Sequence, residues 1–106
     1  MYIMKLKSGI LAFEWDKGNL NKSRRKHGVT PEEAESVFLD IDGFILPDER
    51  HSEKEERQVI LGKSDQERKL FVVFTVRNDT IRIISARRMH REEVERYEKI
   101  KKDTEI

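Results

Sequence analysis

No cysteine occurs among the 106 residues, and there are only two prolines and three histidines. The first absence removes disulfides, thiolate zinc centres and cysteine nucleophiles, so chemistry near neutral pH rests on the histidines and carboxylates. Also missing is any apolar run approaching the thickness of a bilayer. The opening stretch MYIMKLKSGILAF has neither the long apolar core nor the small-residue cleavage site of a secretion signal. These absences predict a cytoplasmic protein with no membrane partner. Repeats, low-complexity tracts and linkers are lacking too, and the length suits a single domain, residues 1–106, with one core.

Charge is what the chain has in quantity. Charged residues make up 41% and hydrophobic ones 36%, yet the apolar residues sit in periodic segments rather than diluted as in disordered chains. A folded core under a heavily charged skin follows. The net charge of +1 says nothing about nucleic acid, but its distribution does. Residues 16–27 carry five Lys or Arg side chains against one acid, residues 77–91 five arginines against one acid, and residues 29–42 five acids and no base. Two basic blocks that meet in the fold would form a patch able to hold a phosphate backbone. Kept apart, they would only solubilise a mixed surface.

The first dozen residues have strand character, with a turn at Ser8-Gly9. Asp16 is placed to cap a short basic helix reaching His27, and Gly28 supplies the left-handed residue that ends it. Thr30-Pro31-Glu32-Glu33 reads as a capping box with a proline at the first helical position, followed by Ala34, Val37 and Phe38 as a buried stripe. Phe44-Ile45-Leu46 reads as a short strand, Asp48 to Glu56 as a polar connection, and Val59 to Gly62 as a second strand before a turn at residues 64–67. Two β-rich runs, Leu70 to Arg77 and Thr80 to Arg87, flank Asn78-Asp79 as a two-residue hairpin loop. Glu92 and Glu93 open the last helix and Lys99, Lys101 and Lys102 close it, as the helix dipole favours; Val94, Tyr97 and Ile100 give its apolar edge.

Residues 76–88, VRNDTIRIISARR, hold four arginines in a run that is otherwise strand-like and apolar. With Asn78-Asp79 as the loop, Arg77 faces Thr80, Thr75 faces Arg82, Val73 faces Ile84 and Phe71 faces Ala86, all on one side. Val76, Ile81, Phe74, Ile83 and Val72 lie on the core side. Arg77 and Arg82 then project together from the half-exposed face. Strict alternation sends Arg87 towards the helix-covered side, from which only the strand's end would let it escape.

Three polar constellations bear on function. Lys22, Arg24, Arg25, Lys26 and His27 suit either a solvated basic helix or one that touches phosphates. The stretch Asp48 to Arg57 has the balance of a solvated loop, but its histidine, carboxylates and arginines also supply a general acid or base and a phosphate clamp. A metal site there is disfavoured, because one histidine among scattered carboxylates lacks ligand-pair spacing. Arg77, Arg82, Arg87 and Arg88 either keep a sheet edge soluble or bind an anion bidentately and stabilise a phosphate as it gains charge.

Taken together, FEWDKGNLNKSRRKHGVTPEEAESVF, LPDERHSEKEERQVILGKSD and LFVVFTVRNDTIRIISARRMHREEVERYE resemble the BrnT family of type II toxin–antitoxin toxins. The likeness covers roughly residues 13–98. Its most specific parts are Phe13-Glu14-Trp15-Asp16, Lys26-His27-Gly28-Val29 and Arg82-Ile83-Ile84-Ser85-Ala86-Arg87. The resemblance implies an α+β, RelE-like ribonuclease fold. Combined with the element order, that means an antiparallel sheet of about four strands packed with two N-terminal helices and a C-terminal one. It further implies an mRNA-cleaving toxin, neutralised by a BrnA-like ribbon-helix-helix antitoxin and reaching operator DNA only within that complex. Two departures stand out. Ser23 occupies a position where asparagine is usual, and His90 one where a serine or threonine would cap the last helix, a hydroxyl worth about 1 kcal/mol.

The expected chemistry is cofactor-free and metal-independent, with the RNA 2′-hydroxyl attacking the adjacent phosphorus. His51 or Glu56 would transfer protons, and Arg57, Arg77, Arg82 and Arg87 would bind the phosphate and stabilise its charge. Lys22, Arg25, Lys26, His27 and Arg88 would hold the RNA, and Tyr97 would join them by orienting a phosphate or would simply pack against the sheet. The alternative is a non-catalytic module that binds antitoxin or RNA without cutting.

Overall fold

The computed structural model describes residues 2–6, 9–15, 17–48 and 56–104. In chain order its elements are β1 (Tyr2–Leu6), β2 (Gly9–Trp15), α1 (Lys17–His27), α2 (Pro31–Ser36), a 3-10 turn (Val37–Leu39), β3 (Phe44–Pro47), β4 (Gln58–Lys63), β5 (Lys69–Arg77), β6 (Thr80–Arg88) and α3 (Arg91–Thr104). The strands form one sheet in the order β1-β2-β6-β5-β4-β3. Neighbours are antiparallel except β2 and β6, which run parallel with Phe13 beside Ile81 and Trp15 beside Ile83. The α+β class and helix order agree with expectation. Among the described residues the sheet has six strands rather than about four, because the N-terminal strand-like segment supplies the antiparallel pair β1 and β2, and the parallel docking of β2 on β6 is a long-range pairing that local pattern does not encode.

Local chemistry sets most of the boundaries. Gly28 ends α1 at φ 64°, the left-handed region that costs glycine nothing. Asn78 and Asp79 take φ of 49° and 65°, the pair of positive values that a tight hairpin loop between twisted strands requires. Asp16, expected to cap α1, and Ser8, expected in a turn, lie outside the described residues. On one face of the sheet, Phe13, Ile81, Ile83, Phe74, Val72, Leu70 and Ala86 pack under α2, Val29 and the 3-10 turn. The opposite face packs Leu61, Val59, Val73, Phe71 and Phe44 against Met89, Val94 and Tyr97 at and within α3.

The capping box is only half formed. Thr30 Oγ1 accepts the Glu33 N–H at 3.2 Å, but the Glu33 carboxylate does not return the bond. It is 1% exposed and is spent elsewhere. Arg68 donates Nε to Glu33 Oε2 at 2.7 Å and Nη2 to Oε1, Ser64 Oγ donates to Oε2 at 2.7 Å, and Arg68 Nη2 also reaches the Gly28 carbonyl at 2.9 Å. One guanidinium thus ties the end of α1 and the start of α2 to the β4–β5 turn. The Arg68 hydrogen bonds hold the Glu33 carboxyl below its ordinary range against the opposing effect of burial.

Removing one partner of such a pair strands a buried charge. Arg68→Ala should therefore cost about 3–5 kcal/mol at pH 7, measured by urea denaturation. Glu33 binds its proton less tightly folded than unfolded, so the stability it contributes is complete above its ordinary value of 4.5 and is lost as pH falls below that. The gap between wild type and variant should accordingly narrow in acid.

Candidate active site

The register between β5 and β6 starts as the sequence predicts: Arg77 pairs with Thr80, Val76 with Ile81, Thr75 with Arg82 and Phe74 with Ile83. It then slips. Val73 pairs with Ser85, Val72 with Ala86, Phe71 with Arg87 and Leu70 with Arg88, leaving Ile84 as an extra residue in β6. A bulge of this kind reverses the inward and outward alternation beyond it. Arg87, which strict alternation would bury under α2, instead shares a face with Phe71. Its guanidinium sits over that ring, with Cζ 3.8 Å from the centroid.

The same stretch of β6 has lost its strand neighbour on the other side. Pairing with β2 ends at Ile83, and α1 lies along β6 from there. The Ala86 N–H, which would otherwise be buried without an acceptor, donates to Ser23 Oγ at 3.2 Å. Ser23 is therefore a structural contact between α1 and the sheet edge, whatever an asparagine would add.

A cavity of about 430 Å³ opens between these parts, lined by Asn19, Lys22, Ser23 and His27 of α1, Asp48 and Arg57 where β3 and β4 part, and Phe71, Val73, Ile84, Ser85 and Arg87 of the central strands. Its floor is apolar and its walls carry four basic side chains from three separate segments. The Asp48 N–H donates to the Arg57 carbonyl at 2.9 Å, which fixes the two residues beside each other.

Of the residues singled out from sequence, Lys22, His27, Arg57 and Arg87 meet in this cavity. Lys26 shares their helical stripe by spacing, and Arg25 lies to its side; both are exposed and neither lines the cavity. Glu56 is exposed just outside, where its carbonyl accepts the Thr75 hydroxyl at 2.8 Å. His51 lies outside the described residues. Arg77 and Arg82 occupy the same sheet face but towards the hairpin loop, on the order of 15 Å from Arg87 at strand spacing. Arg82 registers between Thr75 and Glu14. The expected gathering of four arginines is thus divided, and Arg88 leaves it altogether, since alternation turns it to the face of Glu33, whose proton its charge helps to repel.

Of the two roles open to Tyr97, the structure shows the packing one. It is 1% exposed, stacks on Phe44 with ring centroids 6.4 Å apart, and donates its hydroxyl to Asp40 Oδ2 at 2.6 Å. Burial, with Asp40 beside it, pushes its pKa above the ordinary phenol range. It packs α3 on the sheet and does not reach the cavity.

Sequence reasoning also missed the partner that fixes Arg87. Nη1 and Nη2 donate to the two carboxylate oxygens of Glu93 at 2.8 and 2.9 Å, and Nη1 to the Arg88 carbonyl at 3.0 Å. Glu93 Oε1 also accepts the His90 N–H at 2.7 Å, the acidic half of a capping box, so α3 is capped without the missing hydroxyl. Burial raises the Glu93 pKa, but the Arg87 and His90 hydrogen bonds and the Arg87 charge outweigh it and leave the carboxyl below its usual range. The spacing of Glu93 three residues after His90 was the available sequence signal.

The sequence model of the family described as "Ribonuclease toxin, BrnT, of type II toxin-antitoxin system" matches residues 15–93. No curated protein sequence matches the chain. Among solved structures, the fold is similar to the 1.1 Å crystal structure of the Brucella abortus ribonuclease toxin BrnT. The TM-score is 0.59 and the identity 20%, over 76% of this chain and 99% of that one.

The separation of Tyr97 from the cavity can be tested directly. Tyr97→Phe should cost about 1.5–3 kcal/mol of stability through the lost hydrogen bond to a charged acceptor. Sulfate binding in the cavity, followed by amide chemical shifts of α1, should stay as in wild type.

Proposed function

Because the chain belongs to the BrnT family of ribonuclease toxins of type II toxin–antitoxin systems, we propose that it is a metal-independent endoribonuclease whose active site is the cavity between α1 and the bulged end of β6. The observation that carries this reading is the convergence of Lys22, His27, Arg57 and Arg87, from three segments, on one concave surface. A cavity with cations on its walls and an apolar floor suits a phosphodiester with a base stacked below it.

In the proposed reaction the 2′-oxygen attacks the adjacent phosphorus and the bond to the 5′-oxygen breaks. The products are a 2′,3′-cyclic phosphate and a 5′-hydroxyl. One group must accept the 2′-hydroxyl proton and another must supply one to the leaving oxygen. His27 and Asp48 face the cavity from α1 and from the end of β3, and share that work in this reading. Glu56 does not line the cavity, and His51 lies outside the described residues. Arg57 and Arg87 hold the phosphate as it gains charge, which removes the need for a metal ion; among the described residues no three of His, Asp and Glu are grouped to hold one. Lys22 binds the RNA backbone beside them.

A toxin of this class is paired with an antitoxin, and the proposed partner is a BrnA-like ribbon-helix-helix protein through which the pair contacts operator DNA. No helix among the described residues is long and apolar enough to cross a membrane.

Expressed alone, the wild-type chain should arrest growth, and the purified protein should cleave an oligoribonucleotide in excess EDTA. Arg57→Ala and His27→Ala should each lower kcat by about 10²-fold or more without unfolding the domain, whereas Arg77→Ala, at the far end of the sheet face, should leave kcat nearly unchanged and at most raise KM. RNA bound without scission by the wild type would favour the non-catalytic module, and loss of cleavage in EDTA would refute metal independence.

A further inference from the structure

Arg87 is asked to bind phosphate, yet most of its hydrogens are engaged. A guanidinium carries five N–H groups. Two of those on Arg87 go to Glu93 and one to the Arg88 carbonyl. The pair bonded to Glu93 is the outer fork of the group, formed by Nη1 and Nη2. The hydrogens left over, on Nε and on the adjacent side of Nη2, point the same way from one edge of the plane. That edge is itself a complete bidentate fork for a phosphate.

Contacts among the described residues hold the fork in place. The Phe71 ring lies beneath the group, its centroid 3.8 Å from Cζ. Glu93 is fixed in turn by the His90 N–H at the head of α3. Both side chains remain about one-fifth exposed, at 23% and 22%, and Arg87 lines the cavity.

We propose that Glu93 is a positioning residue, which clamps the outer fork of Arg87 so that the Nε and Nη2 edge is presented to the cavity as a preset phosphate-binding site. This rests on the cavity being the place where RNA is cut. The arrangement trades charge for orientation, since Glu93 offsets the positive charge that it aligns. Removing the clamp therefore has opposite effects on binding and on turnover. The carboxamide of Glu93→Gln keeps an acceptor for His90 while returning a net positive charge to the site and loosening the plane.

The test measures kcat, KM and Tm on one oligoribonucleotide for the full-length wild type, Glu93→Gln, Arg87→Lys, their double variant and Arg57→Ala. Glu93→Gln should lower kcat about tenfold or more with KM no higher than wild type, because misalignment acts on the reacting geometry. Lysine has no fork, so Arg87→Lys should lose kcat similarly, and the double variant should be no worse than the poorer single one, as for groups that act as a unit. A purely structural Glu93 would lower Tm and leave kcat per folded molecule unchanged, which would overturn the proposal, as would multiplicative losses in the double variant. If Arg57→Ala cleaves like wild type the cavity reading itself falls; if Arg57→Ala is inactive and Glu93→Gln keeps full kcat, only the role of Glu93 falls. Should the Glu93 variants not fold, the wild type still decides the matter: the Arg87 Nε–H resonance should shift on titration with a nucleoside 3′-phosphate, and a resonance that stays in place overturns the proposal.

Discussion

A backbone N–H buried at the edge of a sheet must find an acceptor, and that requirement shapes this molecule more than any other. β2 stops pairing with β6 at Ile83, while β6 continues to Arg88. Ala86, which has no exposed surface, would be left facing an empty edge. The chain solves this with a helix instead of another strand, bringing Ser23 to the Ala86 N–H. A strand at that place would have offered alternating side chains to both faces. The helix instead turns one stripe, Asn19, Lys22, Ser23 and His27, towards a single face of the sheet. The cavity exists because a hydrogen-bond deficit was met by an element of different period.

The bulge at Ile84 acts at the same point along β6 and has the complementary effect. It moves the arginine at the strand's end from the face beneath α2 to the face that α1 borders. Without it, Arg87 would compete with Arg68 for the acidic surroundings of Glu33, and the cavity would lose the cation that rests on Phe71. The Arg68–Glu33 and Arg87–Glu93 pairs show why that matters. Arg68 spends Nε and Nη2 on Glu33 and Gly28 and serves as an internal tie between three segments. Arg87 gives Glu93 only its outer fork. Similar chemistry is thus used once to close a core and once to hold a binding edge open.

The sequence made the local devices legible and hid the long-range ones. Gly28, Thr30 with Pro31, and Asn78-Asp79 each carry a backbone requirement that few residue types satisfy, so the elements they bound could be placed in advance. The hairpin register was correct for four pairs and failed at the bulge, because an extra residue in a strand leaves no mark in an alternating pattern when Ile84 and Ser85 are both tolerated at a half-buried site. The parallel docking of β2 on β6 was invisible for a related reason: Phe13 and Trp15 look alike whether they pair with a strand close by or one almost seventy positions away. Within the site, the basic residues of α1 and β6 could be picked out as charged types, but their selection into lining and non-lining members could not. Lys22 and Lys26 differ by one helical turn, and Arg87 and Arg88 by one peptide. Glu33 was read as the acid of a capping box, and Glu35 and Asp40 only as members of the acidic block at residues 29–42. Each instead accepts a buried or half-buried donor, from Arg68, Trp15 and Tyr97 respectively, a fact that only tertiary placement reveals.

On the ribonuclease reading, the division of the arginines between two ends of one face is a physical advantage. A nucleic acid is a line of charges, and its affinity for a protein grows with the number of phosphates neutralised along that line. Chemistry, by contrast, happens at one phosphate and depends on orientation to within fractions of an ångström. Arg57 and Arg87, held by the start of β4 and by Glu93, meet the second demand, while Arg82 and Arg77 continue the positive potential along the same face towards the hairpin loop. Electrostatic attraction falls slowly with distance and tolerates partners of opposite charge nearby, whereas a bidentate contact does not. Residues that only lengthen the track can therefore share their charge with neighbours such as Glu14, whereas Arg57 and Arg87, which must be aligned, are the arginines the fold holds in place.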